Sequence, residues 1–340
     1  MEKQFDEIVR STYELMTKRR TIKKKILKVI KGLLFKKPNV DFFWGEAYFI
    51  RGLIEFNMSK ENKYNYIVNK YYDDMIKKLK NLRLIDQVTN SYGLLMMNSR
   101  ENKHEKIIKH SIKIIDEQIS HEDRLIPYRQ DDKDLIYIDA LGMICPFLAA
   151  YGAENNSKVH KDIAFHQIEN YYSFGFDSKG KLPYQAYNKN TGNKLGLYGW
   201  GRSIGWLMYG MVDTIGYYDK ESYEYLFLKE KLKQLISDVV KYIRIDGYFS
   251  WQVIDIEGHK DTSATSMILY SIKKSIELEI VDSNYESYCN KGLTALLKDT
   301  INGVNQYSSA ECRGLGMHPF KFEQNIWGQA FLALFISKYI

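Results

Sequence analysis

The sequence predicts an all-helical protein in which helices pair into hairpins around a common axis. Three observations support this prediction. Apolar residues recur at spacings of three and four in about twelve segments, which is the period of an amphipathic helix. Only 5 prolines interrupt the 340 residues, so long helices are permitted nearly everywhere. No linker divides the chain, and we therefore expect residues 1–340 to form a single domain.

The predicted helices follow in order, each an apolar-periodic segment that ends at a short polar or glycine-containing break. Their ranges are 2–35, 42–57, 62–82, 88–98, 102–119, 134–152, 156–174, 200–218, 221–244, 261–278, 284–301 and 323–339. Helices joined in pairs bury their apolar faces by stacking as an open solenoid or by closing into a ring. Uneven loop lengths and the lack of a repeating consensus favour the closed ring, an (α/α)6 toroid, whose loops at one end build the site.

Three connecting segments are long for a compact helical domain, and such loops are usually functional. Two of them, 175–199 and 302–322, are expected to be non-helical. The third, 246–261, contains a β-like run from Tyr248 to Ile254. Functional residues are therefore expected in these loops or at the helix starts that follow them.

The formal net charge of +7 suits an anionic partner. Basic residues are interleaved with Asp and Glu along most of the chain, which argues against nucleic acid as that partner. The exception is a basic amphipathic helix predicted within residues 1–37, where Lys and Arg surround an apolar stripe from Lys18 to Lys37. We expect a solvated basic face over a buried stripe, with contact to an anionic membrane surface as the alternative.

Cysteine usage and hydropathy predict the compartment. Cys145, Cys289 and Cys312 are few and unclustered, which favours a reducing compartment over a disulfide framework or a zinc site. The start MEKQFDEIVR has no apolar core of signal-peptide length, and no apolar run approaches the roughly eighteen residues of a membrane span. We therefore expect a cytoplasmic protein.

Asp139 is the first candidate for chemistry. It is the one acid within the nearly continuous apolar stretch LIYIDALGMICPFL, and a buried carboxylate is costly unless it is paired or functional. Its place about one turn inside the predicted helix 134–152 weakens the alternative that it only complements the helix dipole.

A second candidate is the loop-to-helix junction in which Trp200, Arg202 and Trp206 cluster. Aromatic rings stack on sugar faces, and a guanidinium binds a carboxylate through two parallel hydrogen bonds. The alternative is a helix start with core tryptophans and an ordinary surface arginine.

These segments resemble the unsaturated glucuronyl and rhamnogalacturonyl hydrolases of glycoside hydrolase families 88 and 105. The matching segments, in the expected order, are IYIDALGMICPFLAAYG, the YNKNTG loop, WGRSIGWLMYGMVDTI, DTSATSMILYSI and WGQAFLALFISKYI. The resemblance runs from about Trp44 to Ile340, and WGRSIGW followed by DTSATSM is its most specific part. It implies a six-hairpin toroid and a glycosidase that hydrates the C4=C5 bond of a terminal unsaturated uronate. It also implies an acidic oligosaccharide substrate and no metal or organic cofactor.

The resemblance assigns roles to individual residues. Asp139 matches an acid near the uronate that assists catalysis, and Trp44 matches a stacking aromatic. Arg202 and Trp206 match an Arg-Gly-x-x-Trp-like signature, with Ser203 in place of the common glycine or alanine. The remaining expected substrate-binding residues are Gln185, Trp200, Trp251 and Gln252.

The expected proton donor is the point of departure. The family's donor is an Asp in a loop that aligns with YQAYNKNTG, where this sequence has Asn188, and Gln185 replaces a histidine. An amide has no titratable proton to donate, so general acid catalysis from that position is lost. Either the alignment register is displaced, another acid has taken over, or the protein is a divergent or inactive member.

The replacement acids suggested by the sequence differ in their surroundings. Asp177, Asp255 and Glu257 resemble turn or solvated loop residues, whereas Asp139 has an apolar setting that raises a carboxyl pKa. The leading hypothesis is a glycosidase that acts on unsaturated uronate oligosaccharides. The alternatives are a divergent or inactive relative that binds or modifies acidic sugars in polysaccharide metabolism, and a helical interaction scaffold with an open, curved shape.

Overall fold

A computed structural model of the chain describes residues 1–19, 41–60, 62–97, 100–177, 179 and 181–340. The described residues form twelve α-helices: α1 (Glu2–Arg19), α2 (Trp44–Ser59), α3 (Asn65–Lys77), α4 (Thr89–Met96), α5 (Asn102–Gln118), α6 (Ile138–Glu154), α7 (Lys158–Phe174), α8 (Gly201–Thr214), α9 (Tyr223–Val239), α10 (Thr262–Glu277), α11 (Glu286–Lys298) and α12 (Ile326–Ile336).

The even-numbered helices form a closed inner ring. Helix α2 packs on α4, α4 on α6, α6 on α8, α8 on α10, α10 on α12, and α12 returns to α2. The odd-numbered helices pack outside this ring, each against a neighbouring inner helix. The closing contact between α12 and α2 confirms the (α/α)6 toroid, so the open solenoid is not formed. Because one outer helix returns the chain between successive inner helices, all the inner helices point the same way.

Short strands lie in the loops that lead into the inner helices. They are β1 (Leu135–Tyr137), β2 (Ala186–Asn188), β3 (Lys194–Leu195), β4 (Thr300–Ile301), β5 (Val304–Asn305), β6 (Ser308–Ser309) and β7 (Phe322–Glu323). The first three form an antiparallel sheet in the order β1-β2-β3, and the others pair as β4-β5 and β6-β7. The strands therefore gather at the N-terminal end of the inner ring.

The start of α6 differs from the prediction. The sequence predicts a helix from residue 134, but residues 135–137 pair with β2 and the helix begins at Ile138. The N–H of Ile138 donates to the carbonyl of Gln185 at 3.0 Å, so strand pairing continues to the first residue of the helix. Asp139 consequently lies in the first turn of α6, not one turn inside it.

Two further predictions have other outcomes. The helix predicted over 2–35 is observed over Glu2–Arg19 as α1, and most of the predicted basic segment from Lys18 to Lys37 lies outside the described residues. The β-like run Tyr248–Ile254 makes isolated bridges, Trp200 with Gln252 and Ser250 with Lys260, and no named strand. Within the described ranges, no helix is long and apolar enough to cross a membrane.

A buried ionic cluster fills the ring axis at the C-terminal ends of the inner helices. Arg51 pairs with Asp213 and, at 2.6 Å, with Glu55. Lys274 lies 2.6 Å from Asp213, and Lys338 lies 2.9 Å from Glu55. Burial opposes ionisation of Glu55, but Arg51 and Lys338 outweigh it and lower its pKa to about 2. Because charged side chains occupy this end, a site on the axis opens at the N-terminal end.

Candidate active site

The N-terminal ends of the inner helices converge around the mouth of the ring. Trp44 is the first residue of α2, Asp139 the second of α6, and Arg202 the second of α8. Helix N-termini carry partial positive charge and unsatisfied N–H groups, and both favour an anion. The fold therefore gives the mouth an electrostatic preference for negatively charged ligands before any side chain is considered.

Aromatic rings form the floor of the mouth. The ring of Trp44 lies 5.3 Å from that of Trp206 and 5.5 Å from that of Trp327. Tyr48 lies 5.3 Å from Trp206 and forms the next layer down the axis. Trp206 is 1% exposed and Trp44 is 9% exposed, so Trp206 supports the floor from below while an edge of Trp44 reaches the surface of the pocket.

Asp139 has an oxygen that nothing in the described structure satisfies. Its Oδ2 is buried without a hydrogen-bond partner. Burial raises the pKa of the Asp139 carboxyl to about 6, although the charges of Arg202 and Arg129 oppose this shift. An unpartnered acid with a pKa near working pH is suited to give and take protons.

A second buried carboxyl, Asp86, was missed by the sequence analysis. It lies in a 3-10 helix, Ile85–Gln87, which precedes α4 and packs against α6. The side chain is 6% exposed, and its Oδ1 is buried without a hydrogen-bond partner. Burial raises the pKa of Asp86, while Arg129 and Tyr128 act in the opposite direction. Asp86 lies in the mixed segment RLIDQVTN, which gives no local signal of a functional acid.

Tyr128 and Arg129 connect the two carboxyls. The hydroxyl of Tyr128 donates to Oδ2 of Asp86 at 3.4 Å, and Nη1 of Arg129 lies 3.6 Å from the same oxygen. The guanidinium sits 3.8 Å above the Tyr128 ring. Burial raises the pKa of Tyr128 well above its ordinary value, and both Asp86 and Asp139 add to this. The Arg129 side chain is 40% exposed, so part of it remains accessible to solvent.

Arg202 is fully engaged within the protein. Its Nη1 donates to the carbonyl of Ser309 at 2.9 Å and also to the Ser309 hydroxyl. Its Nη2 donates to the carbonyl of Ala310 at 2.8 Å, and Asp261 lies 3.9 Å away. The guanidinium also stacks 4.7 Å from the ring of Trp200. Arg202 thus ties the start of α8 to the β6 segment, and its charge acts on Asp139 through space.

Asn188 closes a local turn. Its Oδ1 accepts hydrogen bonds from the N–H groups of Asn190 and Thr191, both at 3.0 Å, between β2 and β3. An Asp at this position would make the same turn, because a carboxylate oxygen accepts both bonds equally well. The amide oxygen of Asn188 is therefore already occupied within the hairpin.

Gln185 forms hydrogen bonds with two polar side chains of the loop before α12. Its Oε1 accepts from Nε2 of His318 at 2.9 Å, and its Nε2 donates to Sγ of Cys312 at 3.4 Å. The N–H of Gly316 also points to Oε1, at 3.5 Å, which fixes the orientation of the amide. In this orientation Nε2 of His318 is the donor, and an imidazole stands beside the residue that replaces the expected histidine.

The remaining predicted residues lie along the same side of the mouth. The ring of Trp200 lies 4.6 Å from His318, and the ring of Trp251 lies 5.8 Å from it. Nε2 of Gln252 donates to the carbonyl of Tyr198 at 3.2 Å. By contrast, Asp177 binds the N–H of Lys179 at 2.9 Å as a turn residue. Contacts thus connect Trp200, Trp251 and Gln252 to the Arg202 side of the mouth.

Comparisons with known proteins agree with this architecture. The family model described as Glycosyl Hydrolase Family 88 matches residues 12–336. A possible member of family 105 from Salmonella enterica is 15% identical, with a TM-score of 0.82 over 88% of this chain and 83% of that one. A family 105 glycoside hydrolase from C. acetobutylicum is 19% identical, with a TM-score of 0.74 over 92% and 97%.

An unsaturated glucuronyl hydrolase from Bacillus sp. GL1 has the same fold, with 15% identity and a TM-score of 0.68 over 87% of this chain and 85% of that one. Among curated proteins, none matches this sequence. At these identities the solved structures establish the shared toroid, whereas the family model covers nearly the whole sequence. Together with the paired carboxyls and aromatic floor, that match shows that this chain belongs to glycosyl hydrolase family 88.

Proposed function

We propose that this protein hydrates the C4=C5 double bond of a terminal unsaturated uronic acid and thereby releases the sugar attached to it. The observation that carries the proposal is the pair Asp86 and Asp139. Asp86 is buried and Asp139 is half-buried, each has one buried oxygen without a hydrogen-bond partner, and each has a raised pKa. Glycosidase chemistry commonly uses two carboxyl groups, and here they lie at the anion-favouring end of a toroid.

Asp139 is the acid that we assign to proton transfer. Its carboxyl donates a proton to C4 while water adds to C5, and the resulting carboxylate accepts the proton that the water loses. The hemiketal at C5 then opens, which leaves a hemiacetal at C1 that collapses and expels the next sugar as an alcohol. One carboxyl can serve both proton transfers because its pKa of about 6 permits both protonation states near neutral pH.

Asp86 is the group that we assign to positioning. It holds the Tyr128 phenol and the Arg129 guanidinium, and the charge of Arg129 acts on Asp139 through space. Arg129 is the cation with an open side, so we assign to it the hydrogen bonds to the uronate carboxylate. Arg202 contributes to the site only through its positive charge, because its Nη1 and Nη2 donate to Ser309 and Ala310.

In this proposal Asn188 has no part in proton transfer. The family donor expected at that position is replaced in function by Asp139, which explains how the chain can keep an asparagine there. Trp44 supplies the stacking surface for the sugar, and Trp206 supports it. One structural relative is described with dGlcA-Glc-Rha-Glc, and the hydrolase from Bacillus sp. GL1 is described as responsible for the degradation of glycosaminoglycan. Both compounds are suitable first substrate classes.

A catalytically divergent or inactive relative that binds or modifies acidic sugars is the second candidate. It is favoured by Asn188 and by Gln185, which stand where an acid and a histidine are expected. In that case the pocket would bind the uronate without converting it.

One experiment separates the two functions. Hydration removes the double bond conjugated to the carboxylate, so ultraviolet absorbance falls as the reaction proceeds. We expect wild type to consume unsaturated uronate oligosaccharides and Asp139→Asn to lose activity while still binding them. If the wild type binds these oligosaccharides in calorimetry but absorbance stays constant, the binding or modifying function is the better account.

A further inference from the structure

A row of rings leads from the pocket to the outer surface. We call this set the aromatic row; its members lie on the loops before α10 and α12 and are His318, Trp251, Phe320, Phe322, His259 and Tyr307. The first member, His318, lies 4.6 Å from Trp200 inside the mouth. Successive centroid distances are 5.8 Å to Trp251, 6.1 Å to Phe320, 5.1 Å to Phe322, 3.7 Å to His259 and 6.2 Å to Tyr307.

The outer part of the row is exposed to solvent. Phe320 is 72% exposed and Tyr307 is 39% exposed, and the neighbouring Met317 and Ile256 are 59% and 53% exposed. Contiguous exposed apolar side chains commonly mark a ligand or interaction site. Because the row is continuous with the pocket through His318 and Trp200, its natural ligand is an extension of the molecule in the pocket.

The closed end of the ring fixes the direction of a bound sugar chain. The cluster around Arg51 fills the axis beyond the aromatic floor. A substrate whose terminal uronate lies at Asp139 must therefore leave its remaining sugars at the mouth. The aromatic row offers them apolar faces there, and the C–H faces of sugar rings stack on aromatic side chains.

Two lysines beside the row are paired within the protein. Lys260, which lies 4.2 Å from the Tyr307 ring, pairs with Asp299. Lys321 pairs with Glu323 at 2.6 Å. The row therefore presents rings and paired ions, which suits neutral sugars more than charged ones.

We propose that the aromatic row binds the neutral sugars on the leaving side of the substrate, so that the protein prefers oligosaccharides to disaccharides. This inference rests on the proposed function for the placement of the uronate. In this proposal the aromatic row binds at least two sugars on the leaving side of the glycosidic bond that is broken.

The test compares the affinity of the protein for a shorter and a longer oligosaccharide. All proteins carry Asp139→Asn so that the substrate is not consumed, and calorimetry compares an unsaturated uronyl disaccharide with a tetrasaccharide that adds two neutral sugars. We expect the tetrasaccharide to bind more tightly. Adding Phe320→Ala should weaken the tetrasaccharide by about two- to tenfold, the range of one aromatic stacking contact, and leave the disaccharide unchanged. Phe320 is largely exposed, so its loss should not unfold the protein.

Tyr66→Ala is the matched control, because Tyr66 is 69% exposed on the outer helix α3. We expect Tyr66→Ala to leave the affinities for the disaccharide and the tetrasaccharide unchanged. Equal affinity for the two lengths, equal weakening of both by Phe320→Ala, or the same effect from Tyr66→Ala would overturn the proposal. A saturated pair of the same lengths separates the two hypotheses. If wild type leaves the ultraviolet absorbance of the unsaturated oligosaccharides unchanged while a saturated pair still shows the length dependence, the proposed function fails and the row is retained.

Discussion

Nη1 of Arg129 lies 3.6 Å from Oδ2 of Asp86. The same guanidinium opposes the rise in the pKa of Asp139, so one partly exposed cation acts on both carboxyls. This cation favours the ionised form of each carboxyl, whereas burial favours the protonated form of each. Carboxyls with divided roles are a recurrent basis for acid–base catalysis on sugars.

Replacing Asp139 and replacing Asp86 should lower kcat by different factors. Asp139→Asn removes the proton donor and should lower kcat by roughly a hundred- to ten-thousand-fold. Asp86→Asn keeps a hydrogen-bond acceptor for Tyr128 but loses the charge facing Arg129, so its loss of kcat should be smaller. The ultraviolet assay measures both. An Asp139→Asn protein with wild-type kcat would contradict the assignment of the donor.

Asn188→Asp tests the alternative position of the donor. The new carboxylate would still accept from Asn190 and Thr191, so the turn should be retained. We expect a rate within about twofold of wild type, far below the roughly hundredfold that a restored general acid provides. An increase of that larger size would show that residue 188 is the donor position and that the wild type is a weakened enzyme.

The pH dependence follows from Asp139. Burial raises its pKa to about 6, and the protonated form is the donor, so kcat/KM should fall as pH rises above about 6. The stability of the fold should also fall as pH rises. The folded state binds more protons than the unfolded state between about pH 4 and 6, so the contribution of Asp139 is full below that range and is lost across it.

A stability measurement isolates this effect. At pH 7.5 Asp139→Asn should stabilise the fold by about 1–3 kcal/mol, because it removes a buried charge, and the difference should shrink toward pH 4. Chemical denaturation at both pH values measures it. A variant that is less stable than wild type at pH 7.5 would argue against a costly buried carboxylate.

Arg129 and Arg202 should differ when each is replaced. Arg129→Ala should weaken binding of a uronate by about ten- to a hundredfold, as expected for a charged hydrogen bond, with little effect on the unfolding free energy. Arg202→Ala should chiefly destabilise the fold, because it leaves the carbonyls of Ser309 and Ala310 and the buried Asp261 without their partner.

Calorimetry and thermal denaturation of both variants separate these outcomes. A neutral analogue of the uronate, such as its amide, should bind wild type as weakly as the uronate binds Arg129→Ala. If Arg202→Ala instead folds normally and loses the uronate preference, the carboxylate site belongs to Arg202, as the sequence predicts.

The inner ring permits little added volume where α6 meets α8. A Cβ on Gly142 would lie 2.6 Å from the Trp206 ring and 2.9 Å from the Trp206 carbonyl. Gly142→Ala should therefore destabilise the protein by about 1–3 kcal/mol and shift the aromatic floor. Gly216→Ala is the matched control, since nothing lies within 4 Å of its added Cβ. Equal unfolding free energies of the two variants would contradict this packing.

The helices and their pairing could be predicted from the sequence, which also marked Asp139 as a candidate residue. These follow from local information, because the three- and four-residue apolar period and the acid within an apolar stretch are visible in consecutive residues. The start of α6 was predicted wrongly, because the strand at residues 135–137 forms only by pairing with residues 186–188, which are distant in the sequence.

Only the tertiary structure decided how the site is assembled. Asp86, Tyr128 and Arg129 stand in polar or mixed segments without a local signal, and the tertiary structure brings the three together. Arg202 has the motif of a ligand-binding arginine, yet its donors are taken by Ser309 and Ala310, more than a hundred residues away. Which polar groups remain unsatisfied depends on contacts between distant segments, and a sequence does not specify these one residue at a time.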